Sequence, residues 1–324
     1  MENNKTRTIL TIAVLGVFLA AFTLWTVFKP ADAASDAERR SLAQLPALTG
    51  QSLLSGTFAD RFEDYATDQF PLRDEFRTLK ALTATGLLRQ RDNNGLYRVG
   101  DHLAKLEYPM NTASLDHAAE RFRYLYEAYL KDAGSRVYLS LIPDKNYFMA
   151  APNGYPSIDY EQFAEELQSR TGYMQYIDIF DLLELEDYYR TDAHWRQEKI
   201  LPVAQRLAET MGATIDGPEV YTPQRFNRAF VGRYAVQLGL TMEHDTLTYL
   251  TSPTLHQCYT VVYDQMGRPQ RGKVYEVAYG HKNYPYVMFL SGSKGLIKLT
   301  NLKAPADKNL ILFRDSFGSS LAPL

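Results

Sequence analysis

Twenty residues near the start of the chain, Ile9 to Phe28, carry no charge and are almost wholly apolar. As an α-helix the run is about 30 Å long, the thickness of a bilayer's hydrocarbon core, so it reads as a spanning helix. Lys5 and Arg7 precede it, and the positive-inside tendency keeps the N-terminus in the cytoplasm. Everything after Lys29 would then lie outside. The second reading is a cleaved signal peptide, for which Ala31-Asp32-Ala33 supplies the small-residue cleavage pattern. The length of the run favours the anchor; a buried core helix fits an uncharged N-terminal stretch poorly. The expected location is the plasma membrane, single-pass, with an extracytoplasmic domain. The alternative is secretion after cleavage near Ala33.

The chain divides into a cytoplasmic tip with its anchor (1–28), a polar, alanine-rich tether (29–55) and a folded domain (56–324). From Phe58 to Leu88 the apolar residues recur at helical spacing, with Phe58, Phe62, Tyr65, Phe70 and Phe76 as an aromatic stripe read as core packing. Pro71 breaks this segment into two helices. Asn93-Asn94-Gly95 marks a turn before a hairpin over 96–103. A helix from about Ala113 to Lys131 follows. Then come a β-rich run from Arg136 to Ile142, a helix Asp159–Arg170 and a second strand Tyr176 to Phe180. That order suggests a parallel pair joined by a right-handed crossover. Trp195 to Met211 reads as a helix with a kink or late start at Pro202. Residues 221–250 read as irregular, with Gly232 and Gly239 as hinges. Strand-like runs over His256–Tyr263, Lys273–Tyr279, Tyr286–Leu290 and Leu296–Thr300 lead to a final buried strand, Asn309 to Phe313. Their turns contain Gly267, Pro269 and His281-Lys282-Asn283. The order of elements describes an α/β domain with an antiparallel addition.

Composition removes whole classes of function. The formal net charge is -3 with no Lys/Arg block, so the electrostatic footprint of a nucleic-acid binder is missing. The one cysteine, Cys258, excludes an internal disulfide framework and a multi-thiolate zinc site. It reads as a small strand residue.

Two stretches carry the candidate chemistry. In Arg314-Asp315-Ser316-Phe317-Gly318 a strand runs into a sharp turn, the way a nucleophilic serine is presented at a helix start, where backbone amides face a developing oxyanion. The other reading of Ser316 is a helix N-cap. Asp315 reads as a turn residue. Far upstream lies Tyr188-Tyr189-Arg190-Thr191-Asp192-Ala193-His194-Trp195. Residues two apart fall on the same side of an extended segment, so Asp192 can accept from one ring nitrogen of His194 while the other faces the serine. Alternatively, His194 caps the following helix and Asp192 pairs with Arg190. Tyr188, Tyr189 and Trp195 beside this motif offer either a sugar-stacking platform or packing. D-x-H also opens the metal set of some phosphoesterases, but the remaining histidines are scattered without ligand spacing, so no metal or cofactor is expected.

The run ending in Asp192-Ala193-His194-Trp195 resembles the D-x-H-W signature of the DHHW family, exported, membrane-anchored relatives of the alginate O-acetyltransferases. Asp68 to Asp74, Pro143-Asp144-Lys145, Ser291-Gly292-Ser293 and Arg314 to Phe317 resemble further motifs of that family, so the resemblance runs from about residue 56 onward. It implies an SGNH-hydrolase-like fold, circularly permuted, with a central mostly parallel sheet. It also implies Ser316 as nucleophile, His194 as general base and Asp192 as its orienter. The oxyanion would be held by the Ser316 amide and the turn at Gly292, with Ser293 where relatives carry asparagine. Losing one such donor typically costs about a hundred- to a thousand-fold in turnover. The resemblance further implies a helix after the nucleophile; the chain stops at Leu324 and so reads as truncated at its C-terminal end.

The leading expectation is an extracytoplasmic O-acyltransferase or esterase acting on a cell-envelope or secreted glycan. By analogy with the family it would work with a membrane-bound protein that passes acyl groups across the bilayer. A catalytically impaired glycan-binding or assembly protein of the same fold is the second expectation, and a metal-dependent phosphoesterase the third.

Overall fold

The apolar run is helical: α1 spans Glu2–Phe28, and its side chains from Lys5 onward are largely exposed. The computed structural model describes residues 2–35, 40–240, 242–282, 284–302, 304 and 309–324. It divides into two units, one reaching to Gln90 with Val236–Leu240 added, the other made of the remainder.

In the first unit the tether is more ordered than a polar linker; its residues 36–39 lie outside the described ones. β1 (Ala34–Ser35) pairs antiparallel with β2 (Arg40–Ser41), and α2 spans Gly50–Leu54. The expected helix pair follows as α3 (Thr57–Asp68) and α4 (Arg73–Leu82), separated at Pro71 with Leu72 left-handed at φ 58°. The aromatic stripe is not a core. No residue of α3 is buried and Phe62 is 44% exposed. The rings meet one another and α1: Phe22 stacks on Phe70 at 5.2 Å. Arg77 ties α4 to the carbonyls of Val236 and Gln237.

The second unit opens with the expected hairpin, β3 (Leu96–Val99) on β4 (His102–Lys105). Asn111 caps α5 (Thr112–Leu125), which a π-turn extends to Leu130. β5 (Tyr138–Leu139) comes next, and Asp144 caps α6 (Lys145–Met149) by accepting the Asn146 and Tyr147 amides. α7 (Tyr160–Arg170), capped by Asp159, leads to β6 (Gln175–Tyr176). β5 and β6 are parallel, as the strand-helix-strand order predicts, but only two residues long. Pro202 gives the late start of α8 (Leu201–Thr210), where its missing N–H costs nothing. The stretch expected to be irregular contains a hairpin, β7 (Thr222–Arg225) on β8 (Thr248–Thr251), with α9 (Arg233–Leu238) between its strands. β9 (Cys258–Tyr263) pairs with β10 (Pro269–Gly272) and later with β11 (Leu296–Asn301), an antiparallel three-stranded sheet.

Three strand expectations fail. Lys273–Tyr279 runs into helix α10 (Val277–Lys282), and Tyr286–Leu290 begins in a short 3-10 turn, Pro285–Met288. Gly280 explains the tight fit of those two pieces, since a Cβ there would sit 3.0 Å from the Met288 Cβ and 3.1 Å from the Pro285 carbonyl oxygen. His281 and Lys282 belong to α10; Asn283 lies outside the described residues. Asn309–Phe313 makes no ladder with any described residue, and Leu310, Ile311 and Phe313 are exposed rather than buried. Among the described residues the sheets are small and the only parallel pair is β5–β6, so the expected central parallel sheet is not formed. The fold is a mixed helix and strand arrangement that follows an apolar helix in the chain. The five-residue α11 (Phe317–Leu321) closes it.

Two cores position the site. One gathers Ile177, Ile179, Leu183, Tyr188, Trp195, Ile200 and Val203, with Phe317 and Leu321 of α11 packed against it. The other gathers Tyr189, Phe226, Phe230, Leu247, Tyr286, Met288 and Phe289. Tyr188 and Tyr189 are adjacent in sequence and enter different cores, as side chains of an extended segment must. The loop that follows them is thereby anchored on two sides.

Candidate active site

That loop is a narrow hairpin. Tyr188 and Trp195 form an isolated antiparallel bridge, and the Tyr189 amide donates to the His194 carbonyl at 3.0 Å. Lys145, buried at the start of α6, reaches into its back and donates to the carbonyls of Tyr189 (2.8 Å), Arg190 (3.0 Å) and Asp192 (2.9 Å). Three acceptors match the three donors of an ammonium. Burial pulls the Lys145 pKa down to about 7, against the pull of the Asp192, Asp245 and Asp144 charges. Asp245 accepts the Arg190 amide at 3.0 Å and the Thr191 amide at 2.8 Å, fixing the other edge.

Asp192 points inward and is fully buried. One carboxylate oxygen accepts His194 Nδ1 at 2.5 Å and the His194 amide at 3.1 Å. The other accepts the Arg233 amide at 2.7 Å and the phenol of Tyr284. Burial pushes the Asp192 pKa up, but the His194 contact, the Tyr284 phenol and the Arg233 amide outweigh it and hold the carboxyl below its ordinary range. An ionised carboxylate only accepts, so the His194 proton sits on Nδ1 and Nε2 is left as an acceptor. Burial, followed by the Asp192 charge, raises Tyr284 well above the usual tyrosine pKa and keeps it a neutral donor.

His194 Nε2 lies 2.7 Å from Ser316 Oγ. Burial falls off along the row: Asp192 is enclosed, the His194 side chain is 13% exposed and Ser316 is open to solvent. The Tyr286 ring stacks on the imidazole at 3.9 Å and 19°, and Phe317 lies against it at 4.8 Å. The hydroxyl does not cap α11, for Asp315 does so by accepting the Phe317 amide at 2.9 Å. Nor does the Ser316 amide hydrogen-bond to any described residue. The arrangement can remove a proton from an exposed hydroxyl and pass it to a ring fixed in one tautomer.

The predicted residues thus fall into two sets. Ser316, His194 and Asp192 come together. Tyr189 and Trp195 are buried, so neither offers a face to a sugar; packing is their role. Trp195 donates to Ser320 Oγ at 2.9 Å, and Ser320 also meets the Tyr286 phenol at 2.8 Å, which holds the serine-bearing helix from behind. The Gly292 amide donates to the Phe289 carbonyl at 3.0 Å within a turn where Leu290, Ser291 and Gly292 are all left-handed. That amide is engaged inside its own turn, and no hydrogen bond joins Gly292 or Ser293 to Ser316 among the described residues.

Tyr284, Tyr286, Lys145 and Gly232 were missed as parts of this site. The Tyr-Pro-Tyr sequence was visible, but nothing local ties it to Asp192, 92 residues earlier. A hydrogen bond to a charged group contributes about 1.5–3 kcal/mol, so Tyr284→Phe is expected to lower kcat/KM for an acyl ester roughly 10- to 100-fold. A rate left unchanged, with only the melting temperature lowered, would make the phenol purely structural.

Comparison with solved structures finds this arrangement of elements elsewhere. A DHHW family protein from Eubacterium siraeum DSM 15702 is 19% identical, matching 72% of this chain and 79% of its own at a TM-score of 0.55. Bacillus cereus PatB1 is 16% identical, with 71% and 83% covered and a TM-score of 0.55. PatB1 with a sulfonyl adduct is 17% identical, with 70% and 81% covered and a TM-score of 0.57. No protein-family model and no curated protein matches the sequence. The chain has the fold of the DHHW family protein and of PatB1.

Proposed function

We propose that the protein is a membrane-anchored member of the DHHW family that transfers or hydrolyses O-acyl groups on an extracytoplasmic glycan. The observation that carries this reading is the unbroken row from Ser316 Oγ through His194 to Asp192, with contacts of 2.7 and 2.5 Å. His194 Nε2 takes the hydroxyl proton as Oγ attacks the acyl carbonyl, and the departing alcohol takes that proton back. The acyl group rests on Ser316 as an ester. His194 then deprotonates a sugar hydroxyl or water, which attacks the ester and regenerates the serine. The Ser316 amide, which hydrogen-bonds to no described residue, would be the donor to the oxyanion. Asp192 keeps the imidazole in its working tautomer throughout. Support also comes from the sulfonyl adduct of PatB1, since sulfonyl groups attach to activated nucleophiles. α1 would hold the domain at the outer face of the membrane, beside a protein that delivers acyl groups across it.

A second reading, a glycan-binding protein with little turnover, is favoured by the engaged Gly292 amide, which leaves the oxyanion one donor fewer than the family pattern implies. A metal centre built on Asp192 and His194 is disfavoured because both carboxylate oxygens and both ring nitrogens already have protein partners. A fluorophosphonate or sulfonyl fluoride probe separates the readings. The enzyme is expected to label at Ser316, and His194→Ala to lose the label. Glycan binding by unlabelled protein would support the binding module; hydrolysis that EDTA stops and Ser316→Ala leaves intact would return the metal enzyme.

A further inference from the structure

We propose that the corner between α3 and α4 is itself embedded in the membrane, in the outer leaflet of the bilayer that α1 crosses. The inference rests on α1 being an anchor. Its uncharged stretch ends at Phe28, and Phe22 lies six residues before that, roughly 9 Å inward along a helix axis. The Phe22 ring stacks on Phe70 at 5.2 Å and 4°, and meets Phe76 edge-on at 5.7 Å. Rings in contact share a depth, so a spanning α1 carries Phe70 and Phe76 below the hydrocarbon surface with it.

A second contact fixes the corner one level higher. Gln69 accepts the Asp32 amide at 2.8 Å and donates to the Asp32 carbonyl at 2.9 Å, just beyond the end of α1. Asp32 also pairs with Lys29, where the chain leaves the apolar stretch. The polar clamp and the ring cluster therefore lie in the order in which headgroups and acyl chains follow one another.

The surface around this corner has the character of an interfacial segment. Leu72, Phe76 and Leu79 recur at i, i+4 and i+7 on one face of the α4 region and are 44%, 36% and 57% exposed. Arg73, Asp74 and Arg77 leave by other faces, while Glu75 and Lys80 flank the apolar one, where their stems can reach headgroups. Full burial of a leucine or phenylalanine contributes about 1.5–3 kcal/mol, so leaving such a face in water is costly and lipid would cover it.

Depth-dependent quenching tests the proposal on the full chain in phosphatidylcholine–phosphatidylglycerol vesicles. In a Cys258→Ser background, Leu79→Cys and Phe62→Cys carry an environment-sensitive fluorophore, and Glu63→Cys, about 100° further round α3, is the control. Circular dichroism first confirms unchanged helix content. The probes at 79 and 62 are expected to shift to the blue, to be quenched several-fold more strongly by shallow brominated lipids, and to resist aqueous iodide. The probe at 63 is expected to stay open to iodide. Equal iodide access at all three sites, in protein that resists alkaline carbonate extraction, would overturn the embedding and leave the anchor standing. Release by carbonate would overturn both. Neither outcome bears on the Ser316 site, which the nucleophile probe reads separately.

Discussion

Ser316→Ala is expected to lower hydrolysis of an activated acetyl ester such as p-nitrophenyl acetate by roughly 10⁴- to 10⁶-fold, the range seen when a triad member is removed. The melting temperature should hardly move. Ser316 is exposed, its hydroxyl does not cap α11, and its one side-chain partner among the described residues is His194 Nε2 at 2.7 Å. Loss of rate without loss of fold is the signature of a group that reacts rather than supports. Equal rates in two well-folded proteins would remove the nucleophile assignment and favour the glycan-binding reading.

Gly232→Ala is expected to be the most damaging single methyl group in the second unit. A Cβ at this position would fall 2.2 Å from the Thr191 carbonyl oxygen and 2.5 Å from the Asp192 Cβ. Those are backbone and loop-stem atoms, tied in place by Asp245 and Lys145, and cannot swing aside as a side-chain end would. Overpacking of this kind costs about 1–3 kcal/mol and occasionally more. Here it must also displace the carboxylate that orients His194. Denaturant titration should show the stability loss, and esterase assay of the remaining folded protein should show a loss of kcat well beyond it. A variant with unchanged midpoint and rate would mean that the 191–192 turn relaxes freely.

The site was legible where the signal was local. Asp192 and His194 are two residues apart and meet through an extended turn, which spacing alone predicts. Ser316 was legible from the strand-like run, the Asp-Ser pair and Gly318, although the run is exposed and pairs with no strand among the described residues. What stayed hidden arrives from a distance. Tyr284 reaches Asp192 over 92 residues, Lys145 reaches its carbonyl over 47, and Gly232 owes its place to an approach that no local pattern records. The aromatic stripe of α3 and α4 misled for another reason. Periodicity reports which face is apolar, not which apolar partner covers it. Lys273–Tyr279 shows a third limit, for β-rich composition gave way there to the packing of Gly280 against the turn at Pro285.

The buried hydroxyl of Ser320 takes hydrogen bonds from the Trp195 indole and the Tyr286 phenol and gives one to the Phe317 carbonyl at 3.1 Å. Any one of these residues, changed alone, strands a partner in a space water does not reach. They also belong to three distant stretches that bear, respectively, His194, the ring that stacks on it and Ser316. The placing of His194 and Ser316 therefore depends on Trp195, Tyr286 and Ser320 together, residues that lie behind the row rather than in it.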